Sequence, residues 1–373
     1  MSPTRGCGPI AAGAVQLASE LKAAPKDAEE TLGQLLGRDD AGEVWLYRIA
    51  SVLEDAKQPE WAVRVREKLA LTNPGSEQLT LDWARALQKL DRTADARSVL
   101  ERLAVRSAIN NEISGKIAQA FVEPGDRERA RKLFADAVRN DPYVRNFPVY
   151  LDFARLQVAE ENLAGAKRTL RTAYGNPAAR DFTPLIEWLA AAQRLDHAET
   201  DLAEFGLSPS RLNDARRALF THFAENKKLS AAVALIQAHP ESLTTPMAAV
   251  LRQLAKDDQH FDEVAAIFES RVKQQPTSSD LTLELARLYG DWAASEATGG
   301  KVDPALAHLR HAHELRPEVF EIARDLAVLQ SQNGSAKAAI ETLESYLATV
   351  SGKPTEIAKA QEMVAKLKAG GTL

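Results

Sequence analysis

Small apolar residues return along the chain at a fixed interval. Ala50, Ala84 and Ala118 stand 34 and 34 residues apart, and Ala154 follows after 36. Ala62, Ala96, Ala130 and Ala166 keep the same intervals, as do the larger residues Leu69 and Leu103 with Ala137 and Ala173. Pro74 and Pro142 are 68 apart, two periods. Around these columns apolar residues recur at helical spacing, as in Leu185-Ile186-Trp188-Leu189 and Ala198-Leu202-Phe205. Polar pairs ending in proline, Asn73-Pro74, Asp141-Pro142 and Asn176-Pro177, stop the helices, because proline lacks an N–H and clashes with the preceding turn. Ser208-Pro209-Ser210 and His239-Pro240-Glu241-Ser242 are further breaks. Together these marks predict tandem helix pairs. Each pair has an apolar face it cannot bury alone, small residues let its two helices touch, and the next pair covers the rest.

The columns resemble the tetratricopeptide repeat, a 34-residue unit of two helices with small residues at unit positions 8 and 20 and proline often at 32. With Glu43 as position 1, Ala50, Ala62 and Pro74 take those places. The unit with Ala118, Phe121, Ala130, Phe134, Ala137 and Asp141-Pro142 matches similarly. Later, Val264, Phe268 and Pro276, then Ala286 and Tyr289, then Ala305, Leu309, Ala312 and Pro317, and last Ala327, Ala339, Leu343 and Tyr346 restore the pattern. The resemblance implies an all-α, right-handed α–α superhelix of about nine helix pairs with a C-terminal capping helix. It divides the chain into an irregular N-terminal pair (1–42), regular units (43–177), degenerate pairs (178–245), further units (246–350) and a capping helix with tail (351–373). Ala286 and Ala305 are 19 apart where the family has 12, so an insertion near 294–301 is expected to lengthen one turn at Gly299-Gly300. The array reads as one domain with a bend near Leu207 to Arg211.

Composition agrees with helix. Ala and Leu are abundant and lose little freedom there. The net charge is −5, and a split at Ile186 gives 27 basic and 26 acidic residues, then 20 and 26. No basic field at that scale points to nucleic acid. Cys7 is the single cysteine, which excludes an internal disulfide or a thiolate metal cluster. No stretch reaches the apolar length that spans a bilayer. The chain as written reads as cytoplasmic, or periplasmic if a leader was removed, and its Ala-rich style resembles bacterial arrays.

Candidate chemistry is sparse. His308 and His311, spaced i, i+3 on one helix with His313, could pinch a metal, but a polar helix face explains them and no metal is expected. The run Asp257 to Glu263 lacks the glycine and alternating ligands of a calcium loop and reads as a cap at a helix start. Arg127, Arg129, Arg131 and Lys132 alternate with Asp126 and Glu128, which reads as a salt-laced exposed face; a phosphate-contacting patch is the other reading. Asn333-Gly334-Ser335 is a turn. Phosphate loops, zinc-protease and nucleophile-elbow motifs are absent from the sequence, so no enzyme activity and no cofactor are expected.

What the resemblance implies about binding is a concave groove lined by the first helix of each unit. Transferring the family's positions gives Tyr47, Ser51, Glu54 and Asp55, then Gln78, Leu81, Arg85, Gln88 and Lys89. Glu112, Gln119, Leu151 and Arg155 follow, and late in the chain Asp280, Leu283, Arg287, Asp291, Glu321 and Arg324. Arg85, Arg155 and Arg287 share position 9 and would offer forked donors to a carboxylate. The expected role is a protein-interaction scaffold gripping a protein or peptide, with an acidic or C-terminal segment as ligand, and without nucleic acid or membrane insertion. The alternative is an accessory domain, or a fragment, of a larger assembly, secretion or polysaccharide-export machine.

Overall fold

The computed structural model describes residues 42–106, 111–122 and 125–373, together with residues 30, 32–34 and 36 of a helix ahead of them. The described residues are all-α and form nine helix pairs and a closing helix. The pairs are α1 (Glu43–Asp55) with α2 (Pro59–Thr72), α3 (Glu77–Gln88) with α4 (Thr93–Arg106), and α5 (Asn111–Val122) with α6 (Arg127–Arg139). Next come α7 (Phe147–Ala159) with α8 (Leu163–Gly175), α9 (Thr183–Ala191) with α10 (Ala198–Glu204), and α11 (Pro209–Glu225) with α12 (Leu229–Ala238). The last are α13 (Thr245–Asp258) with α14 (Phe261–Gln274), α15 (Ser279–Thr298) with α16 (Val302–Leu315), α17 (Phe320–Gln332) with α18 (Ala336–Thr349), and the closing α19 (Pro354–Lys368). Cys7 and most of the irregular first pair lie outside the described residues, although Leu32 is fully buried against Leu46, Ile49 and Leu53.

The alanine columns are the seams. Ala50, Ala84, Ala118 and Ala154 are 0% exposed, as are Ala96, Ala130 and Ala166. Ala286, Ala305, Ala327 and Ala339 repeat this late in the chain. An alanine at each crossing lets backbones approach, and larger side chains such as Phe121, Phe134 and Phe268 fill the space between pairs. Two pairs also tie their helices with a buried polar bond at equivalent places. Thr169 Oγ1 donates to Gln157 Oε1 and Thr342 Oγ1 to Gln330 Oε1, each at 2.9 Å.

Every pair turns in the same way. A residue with left-handed backbone stands between its helices: Lys57, Asp91, Gly125, Glu161, Gln193, Lys227, Gln259, Gly300 and Gly334. The next amide donates back to the carbonyl five residues earlier, as Asn162 to Gln157 at 2.8 Å and Lys301 to Glu296 at 2.8 Å. This is the Schellman closure, which satisfies carbonyls orphaned at a helix end. Six of the nine positions are not glycine, and a side chain there costs about 1 kcal/mol. Glu161→Gly and Gln193→Gly are therefore expected to raise stability by roughly 0.5–1 kcal/mol each in denaturant melts.

Two sequence expectations change. The insertion near 294–301 does not lengthen a turn; it extends α15 to 20 residues. Its Ala-rich segment favours helix, Trp292 stacks on His308 at 4.1 Å, and Ala293 is buried against α16, so the added turns gain packing. The chain also falls into two compact units, the first ending at Leu207 and the second starting at Ser208. The α10 helix is only 7 residues long, and Gly206, two residues past its end, has φ +65°.

On α16, both ring nitrogens of His313 are buried without a hydrogen-bond partner among the described residues. Desolvation holds its pKa below the ordinary value, against the pull of Glu314 and Glu318. The unfolded chain thus takes up a proton near pH 6.5 that the folded chain refuses, and this contribution to stability is present above that pH and lost as pH falls below it. Thermal melts from pH 7.5 to 5.5 should fall less steeply for His313→Leu than for the parent chain.

Candidate binding surface

In unit 1 the first helices stack directly, α3 on α5 and α5 on α7. Gly115 makes the second contact close, since a Cβ there would lie 2.4 Å from Val149 Cγ2. Along these helices runs an open depression of about 570 Å³, lined by Arg85, Glu112, Gly115, Lys116, Gln119, Asp141, Arg145, Asn146, Pro148, Val149 and Asp152.

Its acidic groups are already engaged. Glu112 bonds Lys116 at 2.8 Å, and that hydrogen bond holds its carboxyl below the usual range. Asp141, 4% exposed, accepts from the amides of Arg145 and Asn146 at 2.9 Å each. The same residue's carbonyl accepts from the Tyr150 hydroxyl at 2.5 Å, and burial, then the Asp141 charge, push that phenol up to about 12. Asp152 accepts from Arg155 at 2.9 Å. Two guanidiniums are left over. Arg85 has no partner among the described residues. Arg145 lies over the Tyr143 ring at 5.5 Å and meets no carboxylate among them. The Asn146 Nδ2 amide is also without an acceptor there. The wall therefore presents surplus donors suited to a carboxylate.

The other residues transferred from the repeat pattern are placed differently. Glu54 accepts from Arg66 Nε at 2.7 Å and lies 3.7 Å from Lys89 Nζ, while Arg66 also covers the Tyr47 ring at 5.0 Å. Gln88 Nε2 donates to the Ala120 carbonyl at 2.5 Å, so it joins α3 to α5. Gln119 lines the depression. Leu81 and Leu151 are buried and belong to the core. Arg155 and Arg287 do not match Arg85: each bonds an acid three residues earlier on its own helix, Asp152 and Glu284 at 2.9 Å. Arg324 pairs with Asp325 at 2.7 Å. Asp291 binds Arg252, and Lys256 at 3.0 Å, while Arg252 also reaches the buried Glu284 at 3.1 Å. These charges lock α13 to α15. Beside them, Phe220, Ala224, Pro246, Met247, Val250 and Leu254 line an apolar depression of about 520 Å³.

His308 and His311 face different carboxylates. His308 Nδ1 lies 2.8 Å from Glu296, and His311 lies 3.8 Å from Glu314. Asp258 ends α13, and Asp262 and Glu263 sit in the first turn of α14. Of the basic cluster, Arg129 grips Glu101 with two bonds of 3.1 and 2.6 Å, but Arg127, Arg131 and Lys132 meet no carboxylate among the described residues.

Helix pairs at intervals near 34 residues are closed by the same turn and sealed by buried alanines. The repeat is tetratricopeptide-like. No family model and no curated protein sequence matches the chain. Among solved structures it is similar to MamA (residues 41 to the end) from Desulfovibrio magneticus RS-1, at 16% identity over 47% of this chain and 98% of that one, TM-score 0.32. It is also similar to the C-terminal part of a TPR repeat-containing protein from Cytophaga hutchinsonii, at 12% identity over 73% and 99%, TM-score 0.38. A third likeness is to a Naa15/Naa10 structure bound to HypK-THB, at 14% identity over 94% and 68%, TM-score 0.32.

Proposed function

We propose that the protein is an interaction scaffold whose α3–α5–α7 wall binds an extended, acidic segment of a partner protein, its C-terminal carboxylate included. What supports this is the depression in which every acid is engaged while Arg85 and Arg145 keep unpaired guanidiniums. A peptide carboxylate completes both forks, and Gln119 and Asn146 stand beside them to bond its backbone. First helices set in register make the wall rigid, so little ordering of the protein opposes binding.

Partners are to be captured from the native host by pull-down and mapped on peptide arrays. A fluorescent peptide from the mapped segment then measures affinity by anisotropy. Arg85→Glu combined with Arg145→Glu should weaken it at least about tenfold with helicity unchanged, whereas Arg324→Glu should leave it alone. Equal affinity for the parent and the double variant would remove the wall as the site.

A further inference from the structure

The first four second helices of unit 1 carry a charge that no other set of helices shares, while the fifth, α10, holds only acidic charges. α2, α4, α6 and α8 hold fourteen basic and six acidic residues. The first helices α1, α3, α5 and α7 hold four and seven, and so do α12, α14, α16 and α18 of unit 2. The excess is unneutralised. Arg102, Arg127, Arg131, Lys132, Arg168 and Arg171 are all exposed and have no carboxylate partner among the described residues. Arg106 is held only by neutral oxygens, the Pro74 carbonyl at 2.7 Å and Thr80 Oγ1 at 3.2 Å.

The repeat sets three of these cations, Arg102, Lys132 and Arg168, on one face, with Arg171 one turn beyond Arg168. Positions i, i+4 and i+7 share a helix face. On α2 that face holds Arg64, Lys68 and Leu71; on α4 the equivalent places hold Ser98, Arg102 and Val105; on α6, Lys132, Asp136 and Arg139; and on α8, Arg168 and Thr172. Neighbouring helices are joined along it. Leu71, Arg102 and Arg106 line one shallow depression, the Arg129–Glu101 pair bridges α4 to α6, and Asn176 Nδ2 donates to the Tyr143 carbonyl at 2.7 Å. One end of the stripe is apolar. Leu71 is 65% exposed and Val105 77%, with Tyr143, 70% exposed, on the exit turn after α6.

We propose that this face docks unit 1 peripherally on an anionic phospholipid surface. Clustered Lys and Arg side chains are drawn to acidic headgroups, and aliphatic or tyrosine side chains at their edge enter the boundary between headgroups and acyl chains. A polynucleotide satisfies the cations but offers no apolar depth to Leu71 and Val105. Polynucleotide binders also stack bases on successive planar side chains, whereas here Tyr143 at the edge lies under the Arg145 guanidinium at 5.5 Å and Trp61 under that of Arg64 at 4.7 Å. No helix among the described residues is long and apolar enough to cross a membrane.

The test is sedimentation of the full chain with vesicles. It should pellet with phosphatidylcholine and phosphatidylglycerol mixed in equal parts, not with phosphatidylcholine alone, and less as salt rises. Lys132→Glu with Arg168→Glu and Arg171→Glu should weaken this about a hundredfold or more. Leu71→Ser with Val105→Ser, which leaves every charge in place, should weaken it about tenfold. Circular dichroism confirms that these exposed substitutions keep the helices. No pelleting with the mixed vesicles overturns the proposal, as does pelleting that either set of variants leaves unchanged. Retention of a labelled oligouridylate in place of vesicles overturns it in favour of a nucleic-acid face.

Discussion

Asp201→Ala is expected to cost unit 1 about 3 kcal/mol, the low end of the range for breaking a buried ion pair. The Asp201 carboxylate is 0% exposed and is held by Arg194 through two bonds of 2.9 Å and by Lys167 at 2.7 Å. Burial alone opposes its charge, but the hydrogen bonds from Arg194 and Lys167 outweigh that and keep its pKa below the ordinary value. Its contribution is therefore present at neutral pH and is lost only as pH falls through the acid range. The low end applies because Lys167 and Arg194 are 18% and 24% exposed, so water takes over part of their solvation when the acid is gone. The triad joins α8 to the short α10, where the repeat is weakest. Because repeat arrays need not unfold all at once, the loss is best read locally, from Trp188 fluorescence in a urea melt of a chain whose other four tryptophans are replaced by phenylalanine. Asp201→Asn should cost less, since the amide oxygen still accepts a bond. An alanine variant within about 0.5 kcal/mol of the parent would mean that the triad does not hold this region.

Phe134→Ala is expected to cost about 3–5 kcal/mol. Phe134 is 0% exposed on α6 and stacks on Phe153 of α7, with ring centroids 5.8 Å apart and planes at 18°. Removing the ring leaves a cavity between two consecutive pairs, which backbones fixed by alanine contacts cannot close. Phe134→Leu should restore most of the loss. Because α7 forms one side of the proposed wall, Phe134→Ala should also weaken segment binding, whereas Asp201→Ala, farther along the unit, should spare it. Urea melts and anisotropy on the same samples separate the two effects.

The seams were legible because packing imposes them on residue size. Only a small side chain fits where two helices cross, so Ala84, Ala118 and Ala154 announce the crossing in one dimension. The pair turns were not legible. Their left-handed residue is Lys, Asp, Glu or Gln at six of nine places, and the closing bond runs between backbone atoms. The insertion was found by its length and misplaced in shape, since spacing alone cannot tell a longer helix from a longer turn.

The depression of the proposed wall was half legible. A register transferred from the repeat put Arg85 and Gln119 in its lining. It could not show that Arg155 and Arg287 are tied to acids one turn back, because rotamers decide that. Arg145 and Asn146 line the same depression from the turn before α7, where the helical register does not reach. Gly115 carried a readable signal: glycine inside a helix is costly unless something lies against it.

Thiol accessibility tests the central arrangement most directly. With Cys7→Ser removing the native thiol, Ala118→Cys and Gln119→Cys put a sulfur on adjacent residues of α5. The fully buried 118 position should react with a maleimide on the order of a thousandfold more slowly than 119, through opening of the structure, and the 119 position should be protected by the bound segment. Comparable labelling of the two would place the alanine column in water and contradict the packing on which both the seams and the wall depend.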